Sequence, residues 1–257
     1  ININEPVKVN LFSNNIKPLD LLIIGSHCIG LDLLLDLTRD SINGFNNVKI
    51  INTGSLPGLN AINNNKCDIS GIHLIDVNQD SYNISYVKKC ENKQLKLING
   101  YSREQGLIIQ KNNPKQISSL KDLFREDIRF INRNTGSGTR ILLEILLKKT
   151  HQNSDDDYLK KNINGYDYEA KTHSAVAAAV KQKKADVGFG IKTNAYFYNL
   201  DFIPIAQEKY DFVVNIASQN KPLVKQFIST LKSKDFAKKL ALNYPGLNVT
   251  KNTGKII

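Results

Sequence analysis

Short apolar runs alternate with amphipathic segments through the first third of the chain. Residues 21–25 form an apolar run that ends at a glycine, and the leucines of residues 29–37 recur behind it at helical spacing. Residues 48–52 and 56–64 repeat the order of strand, turn and helix, and residues 68–74 form one more apolar run. Strands that alternate with helices pair in parallel through crossover helices, so the pattern predicts an α/β fold.

The same alternation resumes after residue 110. The pattern predicts strands at 128–132 and 186–191, and helices at 117–124, 137–149, 174–184, 193–198, 222–231 and 235–243. Residues 151–164 are acidic and rich in asparagine, which is typical of an exposed loop or a frayed helix end. A second set of strand and helix units therefore follows the first.

Two long extended segments separate these sets. Residues 96–110 and 202–216 each contain two apolar stretches around a polar centre, as expected of strands that pass from one lobe into another. Two crossings imply a hinge of two strands. We therefore expect lobe I to comprise residues 1–99 and 207–257, and lobe II to comprise residues 100–206.

Composition indicates a globular chain without a membrane or secretory segment. Of its 257 residues, 41% are hydrophobic and 23% are charged, and no apolar run approaches the roughly 18 residues that span a bilayer. The first residues lack the basic and then apolar pattern of a secretory signal. Cys28, Cys67 and Cys90 show no CxxC spacing, which argues against a disulfide framework and a zinc site. We expect a cytoplasmic protein that holds no metal and no cofactor.

Positive charge exceeds negative charge along the chain. Lys and Arg number 35 against 24 Asp and Glu, and the net charge of +11 attracts anions of any kind. The lysine pairs are scattered, and no aromatic residues are interleaved with them as in nucleic-acid tracks. We expect no direct nucleic-acid binding by this domain and no membrane partner, which leaves a small anionic ligand.

The turn RNTGSGTR at 133–140 lies between a predicted strand and a predicted helix. Gly138 and its neighbouring glycine let backbone amides approach a ligand, Ser137 and Thr139 add hydroxyl groups, and the helix dipole favours an anion there. The turn is not a Walker A loop, because the GxxxxGK[ST] spacing is absent. It predicts an anion site, with an ordinary glycine turn and helix cap as the alternative.

Two earlier turns have the same character. Ser26 and Ser55 each stand where a predicted strand gives way to a predicted helix. Ligands of open α/β sheets bind beyond the carboxyl ends of the strands, which is where all three turns would lie. Each turn alone is often a plain cap, but three of them beside a two-strand hinge predict convergence on one cleft.

Several segments together resemble a known family. IIGSHCIGLDLL, GIHL, YSREQGLII and GSGTRILLEILL occur in that order within residues 20–216. They are similar to the periplasmic-binding-protein-like domain that is attached to molybdopterin-biosynthesis enzymes of the MoeA type and to some helix-turn-helix regulators. The resemblance implies the two-lobed type 2 periplasmic-binding fold, with two hinge crossings and a relationship to molybdate, tungstate and phosphate receptors.

The resemblance also implies a function. It indicates a cytoplasmic sensor or carrier of an oxyanion or small anionic metabolite, with molybdate or tungstate favoured and a link to molybdenum-cofactor biosynthesis or its regulation. No catalytic cofactor domain and no helix-turn-helix segment is recognisable in this chain. A catalytic or DNA-binding partner domain would therefore be fused to it or separate from it.

Several residues match the family's ligand contacts. These are the small donors Ser26, Ser55, Ser137 and Thr139, and the arginines of REQGL and GSGTR, Arg103 and Arg140. Arg140 lies in the first turn of a predicted helix, where a cation opposes the dipole, so we expect an anionic partner there. That partner is either the ligand or a carboxylate such as Glu104 or Glu144. Tyr210 either donates its hydroxyl into the cleft or serves as a core aromatic residue.

Three histidines fall at predicted strand ends or helix starts, namely His27, His73 and His173. A metal site is not favoured, because no acidic residues stand at ligand spacing, and no Ser-His-Asp order supports catalysis. We expect His173 to be neutral and to donate a hydrogen bond to the ligand or to backbone. The preferred interpretation is a binding domain that is not an enzyme. The alternatives are the effector domain of a DNA-binding regulator and an enzyme that uses the same cleft between the lobes.

Overall fold

The computed structural model describes residues 19–42, 47–76, 81–150 and 155–257. The strands are β1 (Leu21–Gly25), β2 (Val48–Asn52), β3 (Ile69–Ile72), β4 (Ile75–Asp76), β5 (Ser81–Tyr82), β6 (Leu95–Ile109), β7 (Phe130–Arg133), β8 (Glu169–Ala170), β9 (Val187–Ile191), β10 (Asp201–Asn215) and β11 (Leu247–Asn248). The helices are α1 (Ile29–Asp40), α2 (Ser55–Asn63), α3 (Ile84–Lys88), α4 (Gly138–Thr150), α5 (Asp156–Asn162), α6 (His173–Lys181), α7 (Lys192–Phe197), α8 (Pro222–Leu231) and α9 (Lys234–Asn243).

The main sheet combines parallel and antiparallel pairs. Its strand order is β2-β1-β3-β10-β6-β9-β7-β8, with β11 paired to β6. Strand β1 is parallel to β2 and β3, and β7 is parallel to β8 and β9. Strands β6 and β10 are antiparallel to their neighbours. The predicted α/β fold class is confirmed.

Strands β6 and β10 carry the chain between two sets of parallel strands. They pair along their whole length, from Asp201 opposite Ile109 to Asn215 opposite Leu95. One end of β10 pairs with β3, while the opposite end of β6 pairs with β9. The chain therefore crosses twice, as the sequence predicts for the hinge. The ladder runs on through the crossing as one continuous sheet, so the boundaries at 99/100 and 206/207 stay a prediction.

Each set of strands has its own hydrophobic core. In the first set, which we call lobe I, Leu34 of α1 and Phe227 of α8 pack with Phe212 of β10. In the second set, lobe II, Leu143 of α4 packs with Phe130 and Phe189 in the strands. Burial of one such side chain contributes about 1.5–3 kcal/mol, and the two clusters are separate from each other.

Some short elements differ from the sequence-based expectation. The acidic stretch 151–164 contains helix α5, in which Asp155 caps the helix by accepting from the backbone N–H of Tyr158, while residues 151–154 lie outside the described residues. The segment predicted as a helix at 117–124 is a 3₁₀ helix over Leu120–Phe124, which opens with a capping box between Ser119 and Asp122. Helix α3 and strands β4, β5, β8 and β11 were not predicted, because elements of two to five residues are too short to show periodicity.

Two further observations bear on the class of protein. No helix in the described part of the chain is both long and apolar enough to cross a membrane. Among the same residues, no group of three or more His, Cys, Asp or Glu side chains is placed to hold a metal ion. The three cysteines are buried and unpaired with one another.

Candidate functional site

Helices from both lobes begin next to His73, which follows β3. Its backbone N–H donates to Ser55 Oγ over 3.0 Å at the start of α2, and its ring Nε2 lies 2.8 Å from Ser26 Oγ just before α1. From lobe II, the first residue of α4, Gly138, is so close that an added Cβ would lie 2.5 Å from His73 Cε1. The predicted convergence of three strand-to-helix turns is therefore present in the structure, and His73 lies where they meet.

These helix starts create a positive local potential. The first amides of a helix have no partner within the helix, and the dipole adds about half a positive charge at that end. Gly54, with a φ of +91°, turns the chain into α2 in a conformation that favours glycine. Helix α6 begins at His173 after β8, with Thr172 as its cap. Amides and hydroxyls at such helix starts suit an anion.

A chain of hydrogen bonds connects Ser26 to Glu208 through His73. His73 Nδ1 lies 2.7 Å from Glu208 Oε1, on the opposite side of the ring from Ser26. Glu208 is 1% exposed and His73 is 8% exposed. We call these three residues the Ser-His-Glu chain.

Glu208 has further partners on β6. Its Oε2 accepts from Arg103 Nε at 2.9 Å, from Arg103 Nη2 and from Gln105 Nε2 at 2.7 Å. Glu208 and Arg103 stand directly opposite each other in the β6–β10 register. Burial opposes ionisation of Glu208, but Arg103 and His73 together hold the pKa of its carboxyl well below the ordinary value. The carboxylate is therefore negative at neutral pH.

Arg133, at the end of β7, lies near His73 and His173 and lacks a carboxylate partner among the described residues. Its Nε donates to the carbonyl of Ala170 over 3.1 Å and its Nη2 to that of Lys171 over 3.0 Å. Burial and then the charge of Arg103 lower the pKa of Arg133 to about 10, so the half-buried guanidinium keeps its charge at neutral pH. Arg103 and Arg133 outnumber Glu208, so these three side chains together carry a net positive charge.

His173 contributes an unpaired polar atom. Its Nδ1 is buried and has no hydrogen-bond partner in the part of the chain that the structure describes. Burial lowers the pKa of His173 well below its ordinary value, and Arg133 and Arg103 add to this effect. The ring is therefore neutral at neutral pH, and its role as a ligand contact stays a prediction.

Two other predicted donors, Ser137 and Thr139, lie at the start of α4. Thr139 Oγ1 accepts from Gln105 Nε2 over 3.3 Å, and Ser137 Oγ accepts from the backbone N–H of Arg140 over 3.3 Å. Like Ser55, both residues use the hydroxyl oxygen to accept within the protein. Thr139 is 1% exposed, so its contact with a ligand stays a prediction, whereas the hydroxyl protons of Ser55 and Ser137 are not used in any hydrogen bond among the described residues.

Three predicted contacts have partners within the protein, and their contact with a ligand stays a prediction. Arg103 is 1% exposed and pairs with Glu208. Arg140 pairs with Glu144 and Glu169, which realises the carboxylate alternative, and its guanidinium lies 4.9 Å from the Tyr166 ring centroid. Both arginines thus have carboxylate partners within the protein, and a direct contact of either with an anion stays a prediction.

Tyr210 is the third predicted contact with a partner inside the protein. It is completely buried, stacks at 5.2 Å on Tyr101, and donates its hydroxyl to the backbone carbonyl of Ser26. Its proton is thus already used, and the core alternative describes its position. The remaining histidine, His27, is 51% exposed and pairs with Asp32 over 2.8 Å.

Sequence reasoning missed Glu208, Gln105 and Arg133 as site residues. Glu208 is one polar residue in a long extended segment, and only the β10 register places it opposite Arg103. Gln105 follows Arg103 by two positions, so alternation along β6 brings both to one face. Arg133 opens the glycine turn, and its charge at the end of a predicted strand was the one signal that pointed to it.

Known proteins resemble this chain in sequence and in fold. The protein YvgK of Bacillus subtilis (strain 168) is 40% identical over 205 residues, which cover 79% of this chain and 63% of YvgK. The chain thus spans less than two thirds of that relative.

Two solved structures share the fold at low identity. An ABC-type phosphate transport receptor from Vibrio cholerae is similar with a TM-score of 0.57 and 16% identity, covering 90% of this chain and 100% of that one. The regulatory domain of MetR, a LysR family regulator from N. meningitidis, is similar with a TM-score of 0.56 and 12% identity, covering 90% and 98%. The sequence model of the PBP superfamily domain matches residues 38–232, and the chain belongs to this superfamily, as a two-lobed periplasmic-binding-protein-like domain of type 2.

Proposed function

We propose that this domain binds a small oxyanion in the cleft between its lobes and acts by binding rather than by catalysis. The observation that carries the proposal is Arg133, a half-buried cation whose only described partners are backbone carbonyls. A desolvated charge without a counter-ion is costly, and an anionic ligand would supply the missing charge. The starts of α2 and α4, which meet at His73, add amide and hydroxyl donors for the same ligand.

The identity of the anion is a further part of the proposal. The family resemblance favours molybdate or tungstate and a role in molybdenum-cofactor biosynthesis or its regulation in the cytoplasm. The Vibrio cholerae neighbour is a phosphate transport receptor, which supports phosphate as a third candidate. All three are tetrahedral oxyanions, and the screen therefore includes each of them.

A thermal-shift screen followed by calorimetric titration tests this function. Inorganic phosphate, sulfate, molybdate, tungstate and a set of carboxylate metabolites are each added to the purified chain in an anion-free buffer. A ligand at about 100 times its Kd adds about 2.7 kcal/mol of apparent stability if it binds the folded state alone. Melting curves and titrations that stay flat for every anion would refute the proposal.

A second candidate is an effector role in a regulator, which the fold shared with the MetR regulatory domain favours. More than a third of YvgK lies outside the aligned part, which leaves room for an output domain in such a relative. The test is a DNA-binding assay on a full-length relative of this kind, with and without the anion from the screen. A response to the anion supports the effector role, whereas indifferent DNA binding or none contradicts it.

The third candidate is an enzyme, which the Ser-His-Glu chain favours. A nucleophile, a base and an orienting carboxylate in hydrogen-bond contact is the arrangement that acyl-transfer enzymes use. We place binding first because Arg103 already neutralises Glu208. The Glu208 carboxylate is therefore less able to stabilise a positively charged His73 ring, which catalysis would require. Covalent labelling of Ser26 by a fluorophosphonate, with Ser26→Ala as control, would favour catalysis. Absence of labelling would count against it.

A further inference from the structure

We propose that Ser26 is a hydrogen-bond acceptor toward the ligand, so that the cleft selects a small anion carrying an O–H donor, as monohydrogen phosphate does. Fully deprotonated oxyanions such as sulfate, molybdate and tungstate would be disfavoured. The inference rests on the proposed binding function and specifies the chemistry of its ligand. It follows from the direction in which each proton of the Ser-His-Glu chain must point.

The direction is set at Glu208. An ionised carboxylate can only accept hydrogen bonds. Its Oε2 receives Arg103 and Gln105, and its Oε1 faces His73 Nδ1 at 2.7 Å. His73 must therefore carry a proton on Nδ1.

His73 carries no second proton at neutral pH. Burial lowers the pKa of its ring below the ordinary value, although Glu208 on β10 acts in the opposite direction. The cations that face it, Arg103 on β6 and Arg133 on β7, also disfavour the charged ring, and His173 on α6 is itself neutral. Nε2 of His73 thus has a lone pair, and the Ser26 hydroxyl must donate its single proton to it over 2.8 Å.

Ser26 is held in this position by its backbone. Its N–H donates to the carbonyl of Gly71 over 2.9 Å, and its own carbonyl accepts from the hydroxyl of Tyr210. Only the lone pairs of the hydroxyl oxygen remain for a ligand. Ser26 therefore offers a hydrogen-bond acceptor to the ligand, whereas the neighbouring hydroxyl groups offer donors.

The other small hydroxyls of the cleft differ from Ser26. Ser55, Ser137 and Thr139 each accept from a donor that cannot reverse, a backbone N–H or the amide group of Gln105. The protons of Ser55 and Ser137 are free to bind a bare anionic oxygen, whereas Thr139 is 1% exposed and is not counted among these donors. The cleft thus offers donors on several sides and one acceptor at Ser26, a pattern that matches an oxyanion with one protonated oxygen.

The chemistry of the candidate anions separates them on this basis. At neutral pH inorganic phosphate keeps at least one proton, whereas sulfate, molybdate and tungstate keep none. An anionic oxygen placed against the lone pairs of Ser26 would be repelled. A hydrogen bond to a charged group is worth about 10- to 150-fold in affinity, so phosphate should bind at least about tenfold more tightly than sulfate or molybdate.

The first experiment compares titrations of phosphate, sulfate, molybdate and tungstate into the whole chain and into two serine variants. Ser26→Ala removes the acceptor, so the preference for phosphate should fall toward parity. Ser55→Ala removes a donor of the same size at a neighbouring helix start. It should weaken all four anions and leave their ratio unchanged.

A second variant reverses the polarity without removing Ser26. In Glu208→Gln the amide oxygen of the new side chain must take the Oε2 place, where Arg103 and Gln105 donate. Its NH₂ group then faces His73 Nδ1 and donates to it, which moves the ring proton to Nε2. His73 now donates to Ser26, the serine proton is freed, and the preference should shift toward sulfate and molybdate.

Nitrogen NMR of the histidine rings reads the tautomer of His73 directly, and a melting curve without ligand shows whether each variant folds. Phosphate preference in the wild type, its loss in Ser26→Ala and its reversal in Glu208→Gln support the inference. The inference is overturned if the wild type binds sulfate or molybdate as tightly as phosphate, or if NMR shows a proton on Nε2 of His73. Either result leaves the anion-binding function intact. If none of the four anions binds, the binding function fails and the ligand preference fails with it.

Discussion

Gly138 of lobe II lies against the imidazole of His73 in lobe I, so close that a Cβ on Gly138 would be 2.5 Å from His73 Cε1. No real Cβ contact is that short, and the ring cannot retreat because Ser26 and Glu208 hold it from both sides. The two lobes can therefore approach this closely only while residue 138 has no side chain.

We expect Gly138→Ala to weaken anion binding without unfolding lobe II. Alanine is a better helix former than glycine at this helix start, but the overlap with His73 would keep the lobes apart. Overpacking of this kind costs about 1–3 kcal/mol, or about 5- to 150-fold in affinity. Calorimetry gives the affinity. In X-ray scattering with anion present, the variant should have a larger radius of gyration than the wild type. Ile141→Ala, on an exposed position of the same helix, is the control.

Arg133 should supply a large part of the affinity. Arg133→Ala is expected to weaken oxyanion binding by about 10- to 150-fold, because the guanidinium is the cation of the cleft without a described counter-ion. Arg129, just before β7, pairs with Asp186 on the surface, so Arg129→Ala matches the change in net charge without touching the cleft. Both variants are titrated at one salt concentration. Equal losses of affinity would mean that Arg133 contributes only through the net positive charge of the protein.

Arg140 should act on stability rather than on affinity. Its ion pairs with Glu144 and Glu169 and its contact with Tyr166 join α4 to the strand edge of lobe II. We expect Arg140→Ala to lower the free energy of unfolding by about 1–3 kcal/mol, with partial exposure of both carboxylates keeping the loss below that of a fully buried pair. Urea denaturation measures this loss. A large drop in affinity with unchanged stability would restore the role that the family resemblance implied.

Stability should decrease as the pH falls below about 6.5. Burial lowers the pKa of both His73 and His173 from the ordinary value of 6.5, so the unfolded chain binds protons that the folded chain does not. The contribution of the two neutral rings to the free energy of unfolding is complete above the pKa of the unfolded chain and is lost as the pH falls toward the pKa of the folded chain. The loss is at most about 1.4 kcal/mol per pH unit for each ring. Partial exposure of His173 makes its share smaller.

Urea unfolding at several pH values tests this dependence. His173→Gln should flatten the fall in stability below pH 6.5. His27→Gln should not flatten it, because the hydrogen bond to Asp32 raises the pKa of that exposed ring and gives it the opposite sign. An unchanged slope in His173→Gln would mean that His173 is charged in the folded protein.

Hydrophobic periodicity was sufficient to predict the layers of the fold. Strands β1 and β2 and helix α8 coincide with the predicted ranges, because each combines a clear apolar pattern with a glycine, asparagine or proline at its boundary. The two hinge strands were also predicted, since their polar centres interrupt otherwise apolar runs. Short elements such as β8 depend on pairing with a distant strand, which local sequence does not encode.

The candidate site was predictable only in outline. Turn chemistry identified Ser26, Ser55 and the glycine turn, because helix starts have a local signature. The partner of each polar side chain depends on tertiary contacts. Arg103 reaches Glu208 across 105 positions of sequence and His73 reaches it across 135. Because such long-range partners cannot be read from local sequence, the sequence predicts neither the carboxylate partner of Arg103 nor the Ser-His-Glu chain.

The Ser-His-Glu chain also affects how relatives of this domain should be compared. The residue that sets the polarity of Ser26 is Glu208, which is separated from the ligand by a whole imidazole ring. During evolution, a single exchange of carboxylate for amide at that position could change the preferred anion while every side chain lining the cleft stayed the same. Homologues with identical cleft surfaces can therefore differ in the nutrient or signal they recognise, and an alignment restricted to cleft-lining positions would assign them one ligand in error.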